Sequence, residues 1–97
     1  MAQVVLAEEA ERDLDRITRF LLDSEPGTAP QVVEGILEAL YTLVRHPLIG
    51  RRVVGAVREL VISRGASGYV ALYRYEPVRE TIRILRVRHQ RESGFSD

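Results

Sequence analysis

His89 stands in the run Arg86-Val87-Arg88-His89-Gln90-Arg91 close to the C-terminus, and earlier in the chain Arg58 and Glu59 lie side by side. Arginines, one histidine and one carboxylate can cleave a phosphodiester without a metal, by attack of a ribose 2′-hydroxyl. A base of near-neutral pKa takes the proton and guanidinium groups stabilise the pentavalent phosphate. Arg58, Glu59 and His89 are therefore the catalytic candidates under a ribonuclease reading. The same tail can instead be a contact surface, because clustered arginines lower a histidine's pKa and planar guanidinium forks suit phosphate and carboxylate alike. Other chemistries find no residues. There is no cysteine, and the only histidines, His46 and His89, have no carboxylates at ligand spacing, so neither a disulfide nor a metal site is expected. No glycine-rich phosphate loop opens a helix, and Ser63 lacks a nucleophile elbow. No cofactor is expected. His46 precedes Pro47 at a helix end, where a cation favours the dipole.

The chain is formally neutral, but its halves are not. Residues 1–50 hold four Arg against nine Asp and Glu, and residues 51–97 hold ten Arg against five acids. All 14 basic residues are Arg. The C-terminal half is thus the half to meet an anion, unless the two halves neutralise each other on one surface.

These side chains must be positioned by one domain, residues 1–97, whose 45% hydrophobic and 29% charged content fits an ordinary soluble globular protein. No apolar run is long enough to span a bilayer, and the N-terminus offers no basic region followed by an apolar stretch. A cytoplasmic protein without a membrane partner is expected. Gln3 to Ala7 reads as a first strand. From Ala10 the period becomes helical, with Ala10, Leu14, Ile17 and Leu21 on one face and Glu11, Asp13, Asp15, Arg16 and Arg19 on the other. The breakers in Asp23 to Pro30 end that helix. A second helix, with Pro30 in its first turn and a stripe through Val33, Ile36 or Leu37, Leu40 and Leu43 or Val44, runs to His46, because Pro47 disfavours helix before it.

Three strands follow, near 57–62, 69–75 and 81–88, and the short loops between them make antiparallel neighbours. The order is β-α-α-β-β-β, an α+β domain with a helical hairpin on one face of a small, mainly antiparallel sheet. Leu14, Ile17, Leu21, Ile36, Leu40, Leu72, Leu85 and Val87 are the expected core. The doublet Ile84–Leu85 leaves the register of the last strand open. With Leu85 and Val87 towards the helices, Arg86 and Arg88 decorate the open face.

The stretches AEEAERDLDRI, HPLIGRRV, VRELVIS, GYVALYRYEP and IRILRVRHQRE, in this order and spacing, resemble the RelE/ParE superfamily of toxins from bacterial type II toxin–antitoxin systems, also called plasmid stabilisation proteins. The REL triplet, the three spaced tyrosines and the final V-x-H-x-R look most like the ParE branch. That resemblance implies a toxin silenced by a cognate antitoxin and, once free, a non-catalytic inhibitor of DNA gyrase. Its alternative is a RelE-like endoribonuclease acting on mRNA in the ribosome. The absence of Lys, and of any Tyr after Tyr75, departs from the ribonuclease branch. Under the ParE reading Arg88, His89 and Arg91 contact the target, while Tyr73, Arg74, Arg83 and Arg86 receive the antitoxin.

Overall fold

The computed structural model describes residues 2–62 and 68–90. Strand β1 (Gln3–Leu6) leads directly into helix α1 (Glu8–Ser24) and helix α2 (Ala29–Tyr41). Strands β2 (Arg51–Val54), β3 (Val57–Val61), β4 (Tyr69–Glu76) and β5 (Thr81–His89) follow. Ala7 cannot cap α1 with a side chain, and Glu8, Glu9 and Glu11 complement the dipole of its first turn instead. The second helix is shorter than its apolar period suggests. It gives way after Tyr41 to a 3-10 turn, Thr42–Val44, ahead of Pro47.

The five strands lie in the order β1-β5-β4-β3-β2. Only the β1–β5 pair is parallel. Residues 51–54 were assigned no element from sequence. They form β2, an exposed edge strand whose Arg51-Arg52-Val53-Val54 has no alternating pattern to reveal it. Gly55, with φ +54°, supplies the turn conformation that closes the β2–β3 hairpin.

Both helices cover one face of the sheet. Ala10, Ile17, Leu21, Ile36, Leu40 and Leu43 meet Tyr69, Ala71, Tyr73, Ile82, Ile84 and Val87 in one buried cluster. This corrects the expected facing of two strands. Leu72 and Leu85 are only half-buried, and the tyrosines of β4 point inward instead. In β5 both Ile84 and Val87 are fully buried, three residues apart, which strict alternation forbids. The register explains it: Tyr73 pairs with Ile84 and Leu72 with Arg86, so Leu85 is the extra residue of a β-bulge. The apolar doublet marks the point where the inward face changes parity.

Candidate functional site

Tyr73 was expected to receive the antitoxin, but it is fully buried. Its hydroxyl accepts from the Gly50 N–H at 2.9 Å and donates to the Pro47 carbonyl at 2.8 Å, tying the loop after α2 to the sheet. Burial pushes that hydroxyl's pKa up, against the opposing Gly50 hydrogen bond and the charge of Arg58, so it stays neutral near pH 7. A Cβ on Gly50 would meet Tyr73 Cε1 at 2.6 Å and the Glu59 carbonyl oxygen at 2.8 Å, so only glycine fits. Tyr73 has no surface to offer a partner. The apolar groove open at the surface lies between the two helices, with Leu22, Val33 and Leu37 among its walls.

Arg86 stands on the open face as expected, opposite Leu72, but its guanidinium turns to the edge of β5 and pairs inside the protein. Its Nε and Nη2 donate to the two carboxylate oxygens of Asp13 at 2.9 and 3.3 Å. The Val87 backbone N–H adds a bond to the same carboxylate at 2.9 Å, and Arg16 approaches it at 3.4 Å. The parallel partner β1 ends its pairing at Ile84. Beyond that point Asp13 of α1, only 5% exposed, does for the β5 edge what a neighbouring strand would do. Burial alone would raise the Asp13 pKa. The bonds from Arg86 and Val87, with the charges of Arg86 and Arg16, outweigh it and hold the carboxyl below its ordinary value. Sequence reasoning assigned Asp13 to the solvent face. Its spacing, three after Ala10 and four before Ile17, puts it on the buried stripe.

Arg74 and Arg83 pair across β4 and β5 on the face away from the helices, both half-exposed. Both donate to Glu76, at 3.2 and 3.3 Å. The Arg83 bond, with the Arg74 bond and both charges, exceeds the desolvation of Glu76 and lowers its pKa. Arg88 and His89 are consecutive in β5 and so lie on opposite faces. His89 packs edge-on against Tyr69, ring centroids 5.1 Å apart. Arg91 lies outside the described residues.

Arg58, Glu59 and His89 do not meet. His89 pairs with Tyr69, whereas Arg58 pairs with Tyr73 on the far side of β4. That puts them about 13 Å apart along the strands and about 10 Å across them. The Arg58 guanidinium is committed to the Leu48 and Gly50 carbonyls at 3.2 and 2.8 Å. Glu59 projects to the opposite face and pairs with Arg51 at 2.9 Å. Among the described residues, no group of three or more His, Asp or Glu could hold a metal ion, and no helix is long and apolar enough to cross a membrane.

The family model of the ParE toxin of type II toxin–antitoxin systems matches residues 4–94. The chain belongs to this family. It is a type II toxin of the RelE/ParE superfamily. This ParE-family toxin is 39% identical over 92 residues to Toxin RelE3 of Caulobacter vibrioides, covering 95% of this chain and 98% of that one. Its fold matches the chromosomal ParDE system of P. aeruginosa with a TM-score of 0.75 at 28% identity, over 92% of this chain and 96% of that one. The RelBE2 toxin–antitoxin complex of Mycobacterium tuberculosis gives 0.66 at 26%, over 92% and 98%. The helical hairpin on a five-stranded mixed sheet is thus the RelE/ParE fold.

Proposed function

We propose that this toxin acts in the cytoplasm by binding and inhibiting DNA gyrase without chemistry of its own, and that a cognate antitoxin holds it silent. One observation carries the non-catalytic half of this reading. The residues that could have formed a metal-free ribonuclease site are dispersed, with Arg58 and Glu59 engaged in structural contacts on opposite faces. A general base needs hydrogen-bond reach of its proton and of the groups that stabilise the transition state. The match to the ParE family model supports the same side. The solved relatives that are toxin–antitoxin complexes support the antitoxin. Its acidic side chains meet Arg74 and Arg83, and its apolar anchors enter the groove between the helices. Tyr73 and Arg86 serve the toxin's own fold. Arg88, His89 and Arg91 form the target-facing end.

Substitution separates this from the RelE-like reading. His89→Gln keeps a polar group but cannot shuttle a proton near neutral pH. Loss of a general base costs about 10²–10⁴-fold in rate, so a ribonuclease would lose nearly all growth inhibition on induction. The gyrase reading expects His89→Gln to stay toxic and Arg88→Gln with Arg91→Gln to be inert, because arginines are frequent anchors of such interfaces. Ribosome-dependent mRNA cleavage that disappears in His89→Gln would overturn it.

A further inference from the structure

Arg74 and Arg83 face each other directly across β4 and β5, a placement that like charges disfavour. One atom reconciles them: both guanidinium groups bond to Oε2 of Glu76. The other oxygen, Oε1, is buried and has no hydrogen-bond partner among the described residues. Each guanidinium carries five N–H donors, and Glu76 takes one from each. Arg79, in the turn after β4, has no ion pair among the described residues, and its neighbour Val78 is 97% exposed. Arg74, Glu76, Pro77, Val78, Arg79 and Arg83 together line an open cleft of about 610 Å³.

We propose that this cleft binds an acidic segment of a partner protein, in which an incoming carboxylate displaces Glu76 from between Arg74 and Arg83 while Arg79 and Val78 hold the flanking residues. Glu76 is the internal stand-in. It keeps two opposed cations compatible in the free toxin, and its one-oxygen grip, with the second oxygen unsatisfied, is poorer than the two-oxygen pairing an arginine fork can give a carboxylate. Three features favour an acidic peptide over nucleic acid. The resident anion is already a carboxylate. The rim carries Pro77 and an exposed valine, which suit peptide side chains better than a phosphate backbone. The whole chain has net charge zero and a pI near 6.7, without the net positive charge that marks nucleic-acid-binding domains. The inference deepens the antitoxin reading of Arg74 and Arg83 and rests on it for the partner's identity.

The test is fluorescence anisotropy at low salt with the full chain and a fluorescein-labelled octapeptide of alternating glutamate and leucine, with a thermal melt of every variant. Glu76→Gln removes the internal competitor and is expected to tighten binding about fivefold, and Arg79→Gln to weaken it about threefold, the scale of exposed charge contacts. Arg12→Gln, the same charge change at an exposed site on α1, should leave binding unchanged. A dodecamer of deoxythymidine should not compete. Equal effects of Arg79→Gln and Arg12→Gln, competition by the oligonucleotide at peptide concentrations, or no gain in Glu76→Gln would each overturn the site. If Glu76→Gln does not fold, Glu76→Asp takes its place. Its shorter carboxylate must also bind the peptide more tightly than the parent, or the proposal fails. Growth inhibition is scored separately. A toxic, antitoxin-neutralised parent that ignores the peptide sinks this site alone, and an inert parent that shows the binding pattern sinks the toxin reading alone.

Discussion

A carboxylate on the buried stripe of a helix is costly unless every oxygen is paired, and Asp13 meets that condition with Arg86, Arg16 and the Val87 N–H. Asp13→Asn leaves the Arg86 guanidinium, whose side chain is 16% exposed, without its counter-charge. Breaking a buried pair costs about 3–5 kcal/mol. Denaturant unfolding should show a loss at the low end of that range, and adding Arg86→Met should recover part of it. The pair also sets an acid limit. The Asp13 carboxyl titrates lower in the folded chain than unfolded, so its contribution is complete above about pH 4 and declines as pH falls through the folded value. Melting points should show that acid decline in the parent, with a smaller slope in Asp13→Asn. At the other end of the sheet Tyr73→Phe would strand the Gly50 N–H and the Pro47 carbonyl. A loss of about 1–3 kcal/mol follows, and unchanged stability would show that water replaces the hydroxyl.

Among the elements, β5 is the most informative, because its bulge decides what faces the helices. Deleting Leu85 should leave the pairs Tyr73–Ile84 and Ala71–Val87 intact, since the remaining residues then alternate without interruption. Arg86 keeps its place opposite Leu72 and Val87 its place opposite Ala71, so both should still reach Asp13. In that background Asp13→Asn is expected to cost as much as in the parent, an additivity that a double-mutant cycle reads directly. The sequence made the helices and the three long strands readable, because period and turn residues act locally. Both apolar residues of the Ile84–Leu85 doublet fit an inward position, so only pairing with β4 resolves the parity. β2 was hidden because an exposed edge strand needs no alternation. Asp13 was misplaced because its polar type was weighed above its helical position. Gly50 and Tyr73 are 23 residues apart, and no local pattern reports a contact of that span.

Taken whole, the molecule is two layers of opposite charge: an acidic helical hairpin, and a sheet whose strands hold seven arginines against Glu59 and Glu76. Opposed layers give a neutral protein a strong directional field, which steers a charged partner and falls off with salt. Association with an acidic antitoxin should therefore slow as ionic strength rises, and Arg83→Gln should flatten that dependence with little change in dissociation. A salt-independent association rate would remove electrostatics from recognition. How the toxin acts was legible only in part. The fold and family follow from element order and motif spacing, whereas the choice between gyrase and ribosome depends on whether a few side chains converge, which one strand's sequence does not encode. The most direct test is a supercoiling reaction with purified gyrase, relaxed plasmid, ATP and the free toxin, beside a purified translation reaction given the same toxin concentration. The account predicts that supercoiling fails while translation proceeds, and that His89→Gln behaves as the parent does. Unimpaired supercoiling with mRNA cut in the translation reaction would contradict it.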